Sequence, residues 1–114
     1  MPEARAVRQG LEVAGGKWVP DVLERLTEGS LRYSELQQEI TDVASSMLTR
    51  TLRRMERDGL VVRTVRPAVP PEVEYRITPL GESLDEPLTA LASWAERHLD
   101  DVAAARRRHD RREG

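Results

Sequence analysis

Apolar and polar positions between Met47 and Asp58 sort onto two sides of a helix. On a wheel turning about 100° per residue, Leu52 and Met55 fall on the same side as Leu48. Ser46, Arg50, Arg53 and Arg57 gather opposite, with Thr49 and Arg54 beside them. The pattern predicts a helix with one buried face and one arginine-rich face, stopped at Asp58-Gly59. Upstream, Leu36 and Ile40 give the segment YSELQQEI a short apolar stripe, and Ser34 with Gln37 fits a capping box. A brief turn at Thr41-Asp42-Val43 separates the two helices, with Asp42 and Ser45 both eligible to cap the second. That is helix-turn-helix spacing. Downstream, Val61, Val62, Thr64 and Val65 are good strand residues. Pro67, Pro70 and Pro71 cannot donate ladder hydrogen bonds and belong to a loop. Val73, Tyr75 and Ile77 then alternate with Glu74 and Arg76, which predicts a returning strand.

The chain ends carry longer apolar stripes. Near the N-terminus Val7, Leu11 and Ala14 form one, closed by Gly15-Gly16. A last helix is expected with Thr78 as N-cap and Pro79 at its first position. Its stripe is Leu84, Leu88, Leu91, Ala95, Leu99 and Val102, at spacings of three and four. Pro87 should kink it. The expected fold is α+β and mainly α: a winged helix-turn-helix whose N- and C-terminal helices form a dimerisation layer. Val7, Leu11, Leu84, Leu88, Leu91, Ala95 and Leu99 would meet across a two-fold axis. The alternative is that the stripe packs only on its own domain.

Composition supports one small domain in a chain of 114 residues. Residues 1–104 are assigned to the DNA-binding and dimerisation domain, and 105–114 to a basic, disordered tail. With no Phe and only Trp18, Tyr33, Tyr75 and Trp94 as aromatics, the core is modest, and completion by a second subunit is expected. No apolar run is long enough to span a membrane and no signal peptide is visible, so a cytoplasmic protein is expected. The formal net charge is −2, yet it is unevenly spread. From Thr41 to Arg66 six arginines face three acids, whereas from Gly81 to Asp101 six acids face Arg97 alone. Attraction to DNA depends on local potential, because screening limits its reach to about 8–10 Å. The run from Arg106 to Arg112 is basic again; fraying is the expectation, and sequence-independent phosphate contact is its other role.

A basic helix leading into a basic hairpin fits double-stranded DNA. Short side chains at Ser45, Ser46 and Thr49 allow close approach to base edges, and Arg50 can grip guanine O6 and N7. Arg53, Arg57, Arg63 and Arg66 are expected on phosphates. Taken alone, the helix arginines would read as an ordinary solvated face; the flanking elements change that. Trp18, Tyr33, Tyr75 and Trp94 are the candidate walls of a small-molecule effector pocket, although core packing accounts for each of them. No nucleophile with a base, no phosphate loop and no converging metal ligands are evident; His98 and His109 stand apart. Neither an enzyme nor a cofactor or metal is expected.

Several blocks together resemble the HxlR-type winged helix-turn-helix regulators of the wider MarR-like group. They are GGKW from Gly15, RYSEL from Arg32, MLTRTLRRME from Met47, DGLVVRTV from Asp58, VPPEVEYRIT from Val69 and LGESL from Leu80. Trp94 follows where the family tends to place a tryptophan in its last helix. The resemblance covers roughly Val13 to Leu99. It implies a bacterial, dimeric transcription factor on a near-palindromic operator, responsive to small molecules or redox stress. Many relatives sense oxidants through a cysteine near the N-terminus. This chain has no cysteine, so a thiolate switch is excluded. Glu72 stands where a basic residue is common, which weakens the wing's positive character. A winged-helix protein-interaction module that has lost specific DNA binding is the competing reading.

Overall fold

A computed structural model describes residues 1–113. It divides into a unit from Met1 to Leu84 and a second that begins at Asp85. The first contains α1 (Ala4–Ala14), α2 (Val19–Leu26), β1 (Leu31–Arg32), α3 (Tyr33–Glu39), α4 (Ser45–Arg57), β2 (Val61–Arg66), β3 (Glu72–Ile77) and α5 (Pro79–Glu82). The second is one helix, α6 (Asp85–Glu113).

The core of the first unit is built from the predicted faces. Leu48, Leu52 and Met55 of α4 are buried, as are Leu36 and Ile40 around α3 and Val19, Val22, Leu23 and Leu26 of α2. Leu60, Val61 and Tyr75 close it from the sheet. The stop at Asp58-Gly59 is a Schellman turn: Leu60 N–H donates to Met55 O (2.9 Å) and Gly59 N–H to Glu56 O (3.1 Å). Gly59 has φ +78°, a conformation open to glycine. The chain therefore leaves α4 at a set angle and enters the wing at once.

The wing forms with Val61 opposite Ile77, Arg63 opposite Tyr75 and Arg66 opposite Glu72. The three prolines lie in its loop, as expected. A two-residue strand, β1, adds to the outer edge of β3, giving the order β1-β3-β2. Nothing in the periodicity announces β1, because two residues carry no period.

Three local expectations are corrected. Ser34 and Gln37 form no capping box: the N-cap of α3 is Arg32, two residues earlier, and Glu35 Oε1 caps the helix by accepting from Arg32 N–H (2.8 Å). Neither Asp42 nor Ser45 caps α4. Its N-cap is Ala44, whose carbonyl accepts from Met47 and Leu48 N–H, and no side chain caps it. Burial of Leu48, Leu52 and Met55 sets the phase of this helix, and capping follows. The expected single last helix is two. Thr78 does cap, accepting from Gly81 N–H (3.0 Å), but α5 ends at Glu82. α6 then starts at Asp85, so Pro87 falls in its first turn, where a missing N–H costs no intrahelical bond, and no kink is required.

α6 runs through Arg106–Arg112 to Glu113, past the boundary expected at residue 104. Ala103, Ala104 and Ala105 lead into arginines, all strong helix formers with no glycine or proline to stop them. Gly114, the end of the expected tail, lies outside the described residues. No helix among the described residues is long and apolar enough to cross a membrane.

Candidate nucleic-acid interface

The exposed side of α4 carries the residues singled out by the wheel. Ser45, Ser46, Arg50, Arg53 and Arg57 are exposed and Thr49 is half-buried. Ser45, Ser46, Thr49, Arg50 and Arg53 line one open groove of about 430 Å³ with Tyr33 at its edge. Arg54 turns away: its Nη1 lies 3.1 Å from where a Cβ on Gly16 would stand, so it covers the turn between α1 and α2.

Tyr33 does a job that its aromatic character alone did not reveal. Its hydroxyl donates to Ser45 O (3.1 Å) and lies 2.9 Å from Thr49 Oγ1. With the tyrosine proton on Ser45 O, the threonine hydroxyl is the donor in the second bond. Tyr33 thus ties the start of α3 to the first turn and a half of α4. Thr49 spends its proton on that contact and can meet a base only as an acceptor.

The wing arginines separate. Residues three apart on a strand point to opposite faces, so Arg63 lies on the Tyr75 side and Arg66 on the Glu72 side. Each has an acidic partner. Arg63 Nε is 3.6 Å from Glu56 Oε2 of α4, and Arg66 Nη2 is 2.9 Å from Glu74 Oε2 of β3. Arg32 forms a third cluster, with Nε 3.1 Å from Glu35 and Nη1 3.3 Å from Glu72. There the hydrogen bond and charge of Glu35, then Glu72, push the Arg32 guanidinium further above its ordinary range. The Arg32 backbone N–H, followed by its side chain, holds the Glu35 carboxyl below the usual carboxylate range. Among the described residues Arg50, Arg53 and Arg57 make no ion pair. These acidic partners were missed from sequence, apart from the note that Glu72 weakens the wing. Glu72 and Glu74 at alternate strand positions opposite basic residues were the available signal.

A cleft of about 570 Å³ lies between α4 and the wing, with Tyr33, Tyr75, Arg32, Arg53, Arg63, Pro70, Pro71 and Val73 among its walls. Tyr33 and Tyr75 therefore meet there. Trp18 is not part of that wall; it sits half-buried before α2, with Lys17 Nζ 5.1 Å from its ring centre. Trp94 belongs to α6, where it stands 5.3 Å from the His98 ring. Burial pushes the Tyr75 hydroxyl above the ordinary tyrosine range. Of the residues expected at a subunit contact, Val7, Leu11, Leu91 and Leu99 are exposed, and Leu84, Leu88 and Ala95 are half-buried.

Comparison with known proteins agrees with this geometry. Residues 13–103 match the model of the HxlR-like helix-turn-helix family. The HTH-type transcriptional regulator YtfH of Escherichia coli is 41% identical over 99 residues, covering 87% of this chain and 79% of that one. Among solved structures, a transcriptional regulator of the MarR family from Enterococcus faecalis aligns with a TM-score of 0.75 at 33% identity, over 91% of this chain and 94% of its own. The reduced form of the redox regulator HypR aligns with a TM-score of 0.77 at 33% identity, over 87% and 98%.

Proposed function

This chain belongs to the HxlR-like helix-turn-helix family and is a transcriptional regulator with a DNA-binding fold, not an enzyme; from that premise we propose that it acts as a homodimer on a near-palindromic operator. The observation that carries the reading is the groove along α4, where unpaired Arg50 and Arg53 stand beside Ser45, Ser46 and Thr49. In this reading α4 enters the major groove N-terminus first. Arg50 reads a base with help from Ser45, Ser46 and Thr49, and Arg53 and Arg57 neutralise phosphates. Arg63 and Arg66 join them by exchanging Glu56 and Glu74 for phosphate oxygens. The exposed stripes of α1 and α6 supply the subunit contact, which places the two recognition helices one turn of DNA apart, about 34 Å. Such a protein works where the chromosome is, in the cytoplasm.

Effector response has a candidate place in the cleft between α4 and the wing, where Tyr33 and Tyr75 meet. A compound seated there acts on DNA affinity if it favours one setting of the wing relative to α4. HypR is described as a redox regulator; this chain, without cysteine, responds by some means other than a thiol. Trp18 and Trp94 fluorescence across a metabolite panel tests for such a response.

Incubating the protein with sheared genomic DNA of its host at moderate salt, then sequencing what is retained, tests the central reading. Enrichment of inverted repeats with half-sites about one helical turn apart is expected. Retention without sequence preference, with only weak salt dependence, would favour a protein-interaction module in its place.

A further inference from the structure

Two hydroxyl protons serve two hydrogen bonds at the start of α4. The Tyr33 hydroxyl oxygen lies 3.1 Å from Ser45 O and 2.9 Å from Thr49 Oγ1. A carbonyl oxygen only accepts, so the first bond takes the tyrosine proton. The second then takes the threonine proton. With tyrosine donating to Thr49 instead, Ser45 O loses its partner and one bond of the two is gone. Both bonds are made only when the protons run from Thr49 to Tyr33 to Ser45 O. Tyr33 and Thr49 are half-buried, so water replaces a surrendered bond poorly. Ser45 and Ser46 line the same groove but differ. Their hydroxyls make no hydrogen bond among the described residues, so each turns to donate or accept as a base requires. Of the three groove hydroxyls, that of Thr49 alone is polarised by a neighbour.

This polarity matters in a major groove. Cytosine N4 and adenine N6 present donors there, whereas thymine O4 and guanine O6 and N7 are acceptors. Thr49 meets an amino group with its network intact. To meet a carbonyl it must turn its proton away from Tyr33, and one bond is given up. A bond of this kind shifts an equilibrium about two- to twelve-fold. Thr49 also stands in the part of α4 that reaches base edges when the helix enters N-terminus first.

We propose that Tyr33 fixes Thr49 as an acceptor, so that Thr49 selects the base pair that sets an exocyclic amino group, of cytosine or adenine, before it. Tyr33 is a positioning residue: it acts on specificity through Thr49 without touching the base. The proposal rests on the reading that α4 enters the major groove, and adds which chemistry one of its positions admits.

Selection from a pool randomised across the operator, followed by sequencing, locates that position. Thr49→Val has nearly the same shape without the hydroxyl and is expected to flatten the preference at one position of each half-site. Tyr33→Phe should flatten the same position, because the freed threonine proton then serves carbonyls as well. Adding it to Thr49→Val should change nothing further there. Far-UV circular dichroism first confirms that each variant folds. Base analogues then read the polarity. Deleting the amino group at that pair (2-pyrimidinone for cytosine, purine for adenine) should weaken the native chain about two- to twelve-fold more than Thr49→Val. If instead a 7-deazapurine, or uracil in place of thymine, weakened the native chain more than Thr49→Val, the hydroxyl would be a donor or the methyl the contact, and the proposal would be overturned. Equal loss by Tyr33→Phe on all sequences, with that preference standing, would leave Tyr33 a structural role only and overturn it too. A motif in which Thr49→Val alters no position would overturn the proposal and leave the operator reading intact. No motif from the native chain would overturn that reading and the proposal with it.

Discussion

Arg50 is an exposed guanidinium that no carboxylate among the described residues holds, which leaves it free to spend its hydrogen bonds on a base. Arg50→Ala should relax specificity at one operator position at a cost of about 1–3 kcal/mol. Affinities on operator and random DNA, measured side by side, check this; equal loss on both would deny it a base contact. Glu35 makes a prediction in pH. Its carboxyl is held below the ordinary value of 4.5, first by the Arg32 backbone N–H. The unfolded chain binds the proton more readily, so the stabilisation is complete above that ordinary value. It is lost as pH falls from there through the lowered native value. Glu35→Gln should therefore flatten the acid side of the melting-temperature profile while changing its neutral region less. Tyr33→Phe removes a hydroxyl shared by Ser45 O and Thr49. A loss of about 0.5–1.5 kcal/mol in urea unfolding is expected.

At the level of elements, both wing arginines are already paired, Arg66 with Glu74 of the wing and Arg63 with Glu56 of α4. Exposed pairs of this type are worth about 0–1 kcal/mol, so phosphate can displace the glutamate. The exchange nevertheless returns part of the gain. Arg66→Ala should lower the salt slope of DNA binding by less than one in the native chain, and by about one in a Glu74→Gln background. Equal effects in the two backgrounds would show that Glu74 does not hold Arg66 in solution. The joint between wing and α5 depends on Gly81. A Cβ there would run into the Leu60 carbonyl oxygen and stand 2.8 Å from Ile77 Cγ1. Gly81→Ala should cost about 1–3 kcal/mol of stability, read by chemical denaturation.

For the whole molecule, a formal charge of −2 is compatible with DNA binding because the charges are segregated along the chain. Arg50, Arg53 and Arg57, which make no ion pair among the described residues, belong to α4, and most of the acids toward the C-terminus lie in the first part of α6. Raising salt should weaken non-specific binding steeply through counterion release. Dimerisation through the apolar stripes of α1 and α6 should survive the same salt. Sedimentation and DNA titration over one salt series would separate the two.

What the sequence by itself determined is what repeats or is local. The buried face of α4, the stop at Asp58-Gly59, the proline loop and the alternation of β3 depend on residues within a few positions of one another, and burial enforces a period that can be counted. The α4 groove residues followed from the same wheel. Only the tertiary structure decided which side chains are occupied. Arg32 meets Glu72 forty positions away, Tyr33 reaches Thr49, and Arg63 finds Glu56 on another element. It also decided that Ala44 starts α4, since core packing sets helix phase more strongly than a capping serine does. The start of α5 has the same origin. Thr78 donates its hydroxyl proton to Gly59 O (2.6 Å) and accepts from Gly81 N–H. That links the end of the wing to the end of the recognition helix, a meeting no local pattern records.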